Sequence, residues 1–226
     1  MKNSGTGPGA ITPDGSPVEF YTLLEPGRDA ELVIQESPPG GSVLELGAGV
    51  GRVTHALVAA GLDVVAVDES AEMLAHVRGA ETVLARLQDL RLDRRFDTVT
   101  LGSQLVNVVD GEVRRAFLGA CARHVAPGGA VLVQWIPGER HDVWQAGSGR
   151  ADGEVTITMA EVEEISPGVY AATMRYAHGE RVWTQSFTSR RLSDEEVAAD
   201  LAAVGLRLDR FLTEDRTWFA ARPFTT

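Results

Sequence analysis

Apolar residues recur along this chain in two periods, and the change between them divides it. Between Ser42 and Gln134, short apolar runs alternate with amphipathic stretches. The runs predict strands at Val43 to Leu46, Val64 to Val67, Thr82 to Arg86, Phe96 to Leu101 and a fifth ending near Val133, with helices at Arg52 to Ala60, Ala71 to Arg78 and Gly111 to His124. Continuously apolar strands alternating with helices imply a parallel sheet covered on both faces. Trp135-Ile136-Pro137-Gly138 stops the fifth strand, since proline and glycine break the ladder. Beyond it the period becomes two, with Val155, Ile157 and Met159 alternating with polar residues and similar segments at Val169 to Ala177 and Arg181 to Phe187. Such a pattern without intervening helices predicts an antiparallel, three-stranded insertion from Glu154 to Arg191. Ser193-Asp194-Glu195-Glu196 then reads as a capping box opening a helix to Ala203, which Gly205 ends, and strands follow at Leu206 to Leu212 and Thr217 to Ala221.

Upstream of the alternation, Met1 to Pro17 is rich in glycine and proline and is expected to be a mobile tail. Ser16-Pro17-Val18-Glu19 resembles a capping box with proline at the first helical position, predicting a short helix through Leu24 that Pro26 ends. A second helix spans Arg28 to Glu36. The resulting organisation is a tail (1–17), a core with N-terminal cap helices (18–153), the insertion (154–191) and a closing helix with C-terminal strands (192–226).

Chemistry concentrates where the strand at Val43 to Leu46 meets its helix. Gly47, Gly49 and Gly51 permit a tight turn and close backbone approach to a ligand, the helix start offers free amides, and Asp68, about 20 residues on, suits a ribose hydroxyl pair. These parts suit an adenine nucleoside. The spacing is G-x-G-x-G, not the G-x-G-x-x-G of dinucleotide sites, and Glu45 precedes the first glycine by two, which favours a ligand without a pyrophosphate.

The run Glu45-Leu46-Gly47-Ala48-Gly49-Val50-Gly51 resembles the first motif of class I S-adenosylmethionine-dependent methyltransferases. Asp68-Glu69-Ser70 with Met73-Leu74 resembles the family's second motif, and Gln88-Asp89-Leu90 stands where its members grip the adenine edge. Phe96 to Leu101 resembles their fourth strand, and Val125-Ala126-Pro127-Gly128-Gly129 the turn into their fifth. The resemblance covers Ser42 to Gln134. It implies a Rossmann-like, seven-stranded, mostly parallel sheet with helices on both faces and the antiparallel insertion after the fifth strand. It further implies S-adenosylmethionine as cofactor, held by Glu45, Gly47, Ala48, Gly49, Gly51, Asp68, Glu69, Met73, Gln88, Asp89, Leu90, Gly102 and Ser103, with Tyr21 of the cap reaching the methionine end or merely facing solvent.

Composition narrows the partner. At 226 residues and 44% hydrophobic content the chain suits one elaborated α/β domain. A net charge of -11 opposes a nucleic acid partner and leaves a small-molecule acceptor. No run is long enough to span a membrane and the start lacks signal-peptide character, so a cytoplasmic protein is expected. The lone cysteine, Cys121, reads as a small buried side chain. His55, His76, His124 and His178 show no metal-ligand spacing, so no metal is implied.

Methyl transfer needs alignment and exclusion of water, and a base only when the nucleophile must lose a proton. Open α/β sheets bind ligands beyond their strands' carboxyl ends, which draws attention to Gly102, Ser103, Gln104, Asn107, Trp135, His141, Asp142 and Trp144. His141 is either a polar surface residue or a general base. Trp135, Trp144, Tyr170, Tyr176, Trp183 and Phe187 either line an acceptor pocket roofed by the insertion or belong to the core. Leu101-Gly102-Ser103-Gln104 departs from the Asn-Pro-Pro-Tyr of enzymes methylating bases or glutamine. The expected activity is therefore methylation of O, N or C of a small molecule, in bacterial secondary metabolism. A nicotinamide-dependent oxidoreductase stays open as an alternative, although it would want the third glycine one residue later and lacks a Tyr/Lys pair, Lys2 being the only lysine. So does a non-catalytic cofactor binder.

Overall fold

The computed structural model describes residues 3–224, leaving Met1, Lys2, Thr225 and Thr226 outside the described residues. The alternating segment forms five parallel strands: β2 (Ser42–Leu46), β3 (Asp63–Asp68), β4 (Glu81–Leu84), β5 (Phe96–Leu101) and β6 (Val125–Gln134). The C-terminal strands β11 (Leu206–Phe211) and β12 (Trp218–Pro223) add antiparallel to β6, giving a seven-stranded sheet in the order β11-β12-β6-β5-β2-β3-β4. The chain leaves β2 toward β3 on one side and later returns to lay β5 on the other. A crevice therefore opens at the carboxyl ends of β2 and β5, where such sheets place ligands.

Strand parity explains the two helical layers. Leu44, Leu46, Val65 and Val67 pack with α5 (Gly111–His124) and α7 (Asp194–Ala203), while Val43 and Val64 pack with α2 (Gly27–Glu36) and α3 (Arg52–Ala59). Asp110 caps α5 by accepting from Glu112 N at 2.8 Å, and the Ser193–Glu196 capping box of α7 forms as the sequence predicts. Cys121 is fully buried in the first layer, and burial pushes its thiol up to about 12, leaving it inert.

The inserted sheet is larger than its pattern predicts. It begins before Glu154 with β7 (Gly149–Asp152) and continues through β8 (Val155–Ser166), β9 (Val169–His178) and β10 (Arg181–Arg190). A fifth strand, β1 (Ser4–Thr6), comes from the expected mobile tail and pairs antiparallel with Thr184 to Ser186. Glycine serves close approach here, because a Cβ on Gly5 would sit 2.1 Å from the carbonyl oxygen of Gly15. The Ser16 capping box does not form. Ser16 is drawn into a turn with Thr12 and Asp14, and the helix α1 (Val18–Tyr21) starts after Pro17 without a side-chain cap and ends before Leu24. The helix α4 (Ala71–Leu74) is likewise shorter than predicted, its later residues continuing only in single turns toward Gly79.

The layer of α5 and α7 is locked by a buried charge pair. Arg114 Nε donates to Asp200 at 2.5 Å, Arg115 reaches the same carboxylate at 3.1 Å, and Arg114 Nη1 donates to the Val108 carbonyl at 2.8 Å. Removing the carboxylate would strand a buried guanidinium. Asp200→Ala should therefore cost about 3–5 kcal/mol, read from the urea midpoint at unchanged m-value.

Candidate functional site

The turn after β2 is folded back over the end of β3. The amides of Gly47 and Ala48 both donate to the Val67 carbonyl, at 2.9 and 3.0 Å, and the Gly49 amide donates to Asp68 Oδ2 at 2.8 Å. The other oxygen of Asp68 accepts from Ser70 N at 2.9 Å. All three glycines have positive φ (76°, 57° and 84°), a conformation that L side chains rarely hold. A Cβ on Gly49 would meet only Met73 Sδ, at 4.0 Å, and one on Gly102 across the crevice would meet nothing within that distance. An open cradle thus lies over the turn. Burial raises the Asp68 carboxyl while its amide bonds oppose that shift. Beneath the turn, Glu45 points toward α3 and accepts from Thr54 Oγ1 at 2.6 Å.

The cap reaches this turn from two directions. Arg52, the first residue of α3, donates to the carbonyls of Glu25 (3.0 Å) and Pro26 (2.5 Å) and pairs with Asp29 at 2.9 Å. Asp29 in turn accepts from Gln134 (3.3 Å) and Trp218 (3.2 Å), and Gln134 accepts from Ser103 N at 2.8 Å. Val18 and Tyr21 pack on Val50 and Met73, the apolar side chains flanking the turn. Tyr21 also packs against Phe20, Tyr176 and Trp183, so it joins the turn to the inserted sheet, and its hydroxyl donates to Gln185 Oε1 at 3.2 Å. A cavity of about 420 Å³ between cap and α3 is lined by Tyr21, Thr22, Val50, Arg52, His55 and His76, among others.

The remaining predicted site residues are not all brought together. Gln88 and Asp89 lie in a single helical turn after β4, half-buried and exposed, whereas Leu90 is 2% exposed and faces the main core. Glu69 is exposed. Ser103 and Gln104 both hold positive φ at the crevice edge, and Asn107 is buried, its amide bonded to the Ile136 backbone and the Arg190 carbonyl. Trp135 is core: it is 1% exposed, lies between Phe211 and Phe219, and donates to the Arg216 carbonyl at 2.5 Å. Trp183 is core as well, fully buried beside Phe20 with its Nε1 donating to the Pro8 carbonyl at 2.8 Å. The ring of Tyr176 stacks on Phe20 at 4.3 Å. His141 is neither a surface residue nor a poised base. It is 1% exposed, bonded to Ser189 Oγ at 2.9 Å and packed on Trp144 and Tyr170, and burial pushes it down to about 4, so it is neutral and weakly basic at working pH. Trp144, half-buried, shares that aromatic cluster with Tyr170 and Phe187.

A methyltransferase domain family matches residues 43–129, from β2 into β6. The chain is 35% identical over 133 residues to the cypemycin N-terminal methyltransferase of a Streptomyces species, an alignment taking in 53% of this chain and 54% of that protein. It is 25% identical over 192 residues to the dTDP-3-amino-3,4,6-trideoxy-α-D-glucopyranose N,N-dimethyltransferase of Streptomyces venezuelae, covering 80% of this chain and 81% of the relative. The chain therefore spans about half the length of the first relative and four fifths of the second. The solved structure of a sugar N-methyltransferase from a Streptoalloteichus species shares the fold, with a TM-score of 0.72 at 21% identity over 96% of this chain and 98% of its own. Residues 43–129 thus carry a methyltransferase domain.

Several residues of the site escape a linear reading. Thr54, Arg52 and Asp29 gain their roles only when α2 and α3 dock, and Gln185 looks like any polar residue in a period-two strand. Its one signal is its place between Trp183 and Phe187 on the inward face.

Burial pushes Glu45 up to about 7 against the opposing Thr54 bond, whereas in an unfolded chain a glutamic acid ionises near about 4.3. The folded state then keeps a proton that the unfolded state releases. The stability so conferred is complete below the unfolded value and is lost as pH rises through the folded one. Relative to Glu45→Gln, the parent should lose about 3–4 kcal/mol across that window in urea titrations; parallel pH curves would refute the shift. Trp183→Ala should cost about 3–5 kcal/mol of stability while leaving S-adenosylhomocysteine affinity, measured by calorimetry, nearly unchanged.

Proposed function

We propose that the crevice binds S-adenosylmethionine and that the chain methylates an amine nitrogen of a small molecule, in bacterial secondary metabolism. The supporting observation is the cradle itself: a glycine turn latched by Asp68, with open space over Gly49 and Gly102 at the sheet's switch point. The donor set fits a nucleoside with a cationic tail. Each Asp68 oxygen keeps a lone pair for a ribose hydroxyl beyond its amide bond. Met73 offers an apolar face and Gln88 with Asp89 a polar edge on the adenine side, while Gly47, Ala48, Gly102, Ser103 and Tyr21 surround the methionine end. Glu45 holds the turn through Thr54. When bound, S-adenosylmethionine supplies an electrophilic methyl group on a sulfonium.

Nitrogen is favoured as acceptor because a neutral amine brings its own lone pair and needs no base before attack. His141, the one candidate for a base, is sealed among aromatic rings and bonded to Ser189. The names of the relatives accord with this: an N-terminal methyltransferase, an amino-sugar N,N-dimethyltransferase and a sugar N-methyltransferase. An amine on a sugar or a modified peptide is thus the proposed acceptor class.

Calorimetry with S-adenosylmethionine, S-adenosylhomocysteine and NAD tests the cofactor. The two sulfur nucleosides should bind and NAD should not; tight NAD binding alone would mean an oxidoreductase. Asp68→Ala should weaken S-adenosylhomocysteine by about 1.5–3 kcal/mol for each charged hydrogen bond lost. Mass spectrometry of products from amine acceptors should show methyl on nitrogen. Cofactor binding with no transfer to amines or hydroxyls would leave a non-catalytic binder.

A further inference from the structure

A polar chain, buried at Gln185 and Ser16 and ending at the exposed Asp14, joins the inserted sheet to the cap. Gln185, 8% exposed on β10, accepts through Oε1 from Tyr176 Oη at 2.8 Å and from Tyr21 Oη at 3.2 Å. Its Nε2 donates to Ser16 Oγ at 2.9 Å, Ser16 donates to Asp14 Oδ2 at 2.9 Å, and the other Asp14 oxygen accepts from Thr12 Oγ1. The directions are forced from one end. A carboxylate only accepts, so Ser16 gives Asp14 its single proton and must receive from the Gln185 amide. The amide oxygen is thereby turned toward both phenols, and each phenol gives it a proton.

The consequence falls on Tyr21. Its hydroxyl has no proton left to give, and its oxygen can act only as an acceptor. Burial raises the pKa of the Tyr21 phenol above its ordinary value, so it stays neutral and cannot strip a proton from an incoming group. The same side chain packs on Val50 and Met73 beside the glycine turn. A neutral phenol oxygen can hold an N–H and leave the nitrogen lone pair free to attack, but it cannot generate an alkoxide from a hydroxyl.

We propose that Gln185 is a positioning residue that presets Tyr21 as a hydrogen-bond acceptor for the N–H of the substrate amine, and so helps select nitrogen over oxygen. This rests on the amine reading given above. It names residues from three separate segments, Thr12 to Ser16, α1 and the β9–β10 hairpin, as one specificity element.

The test compares the parent with Gln185→Leu and Gln185→Glu, each loaded with S-adenosylhomocysteine, and uses Tyr21→Phe and Tyr176→Phe to assign bands. In near-ultraviolet difference spectra the parent should show a red-shifted component from proton-donating phenols that Gln185→Leu loses and Gln185→Glu, which keeps accepting oxygens, largely retains. With dTDP-3-amino-3,4,6-trideoxyglucose and a peptide N-terminal amine as probes, kcat/KM should fall about tenfold in Gln185→Leu and recover in part in Gln185→Glu. S-adenosylhomocysteine affinity should change less than about twofold, because Gln185 does not border the glycine turn. An unchanged spectrum or unchanged amine kinetics in Gln185→Leu overturns the proposal alone. Equal losses of turnover and cofactor affinity overturn it in favour of a purely structural role. A parent that methylates the hydroxyl counterparts and not the amines overturns the amine reading and this proposal together.

Discussion

The bidentate capture of backbone amides by Asp68 is the interaction on which the site depends. One oxygen holds Gly49 and the other Ser70, so a single carboxylate fixes the turn after β2 to the start of α4. Without it the three left-handed glycines have no tether on the open side, since their other bonds run to the Val67 carbonyl and within the turn. Charge-assisted bonds of this kind are short and roughly twice as strong as neutral ones. Cradle shape and ribose-facing charge therefore come from the same two oxygens.

A second layer of control comes from the N-terminal segment. It begins as a strand on the inserted sheet, crosses beneath that sheet as the Thr12–Ser16 turn, and becomes the cap helix over Val50 and Met73. Tyr21 sits where these meet. The segment is anchored to β10 by Trp183, Gln185 and the β1 ladder, so the cap and the inserted sheet share one set of contacts. Arg52 and Asp29 tie the other side of the cap to the ends of α3 and β6. The crevice is thus framed by contacts distant in sequence.

The sequence was most legible where the physics is local. Apolar runs, the glycine spacing and Asp68 placed β2, α3 and β3 within a residue or two, because periodicity and turn chemistry act over few residues. It was least legible where partners lie far apart. The glycines of residues 5–15 suggested mobility, yet Gly5 and Gly15 are there because two backbones nearly touch. Trp183 and Tyr176 suggested a pocket, and strand parity did place them on one face, but nothing in the sequence told that Phe20, more than 150 positions away, covers that face. His141 read as a surface residue or a loop base for the same reason: its burial depends on Trp144, Tyr170 and Ser189, contributed by the inserted sheet and the segment leading into it.

The short strand β1 also has a bearing on solubility. β10 lies next to the margin of the inserted sheet, and Ser4 to Thr6 occupy the backbone groups at its centre, opposite Thr184 to Ser186. Without that pairing the backbone groups of Thr184 to Ser186 would face outward on an open edge, the geometry on which a second molecule most readily adds a strand. Ser4 to Thr6 thus close the part of that edge most open to intermolecular sheet growth.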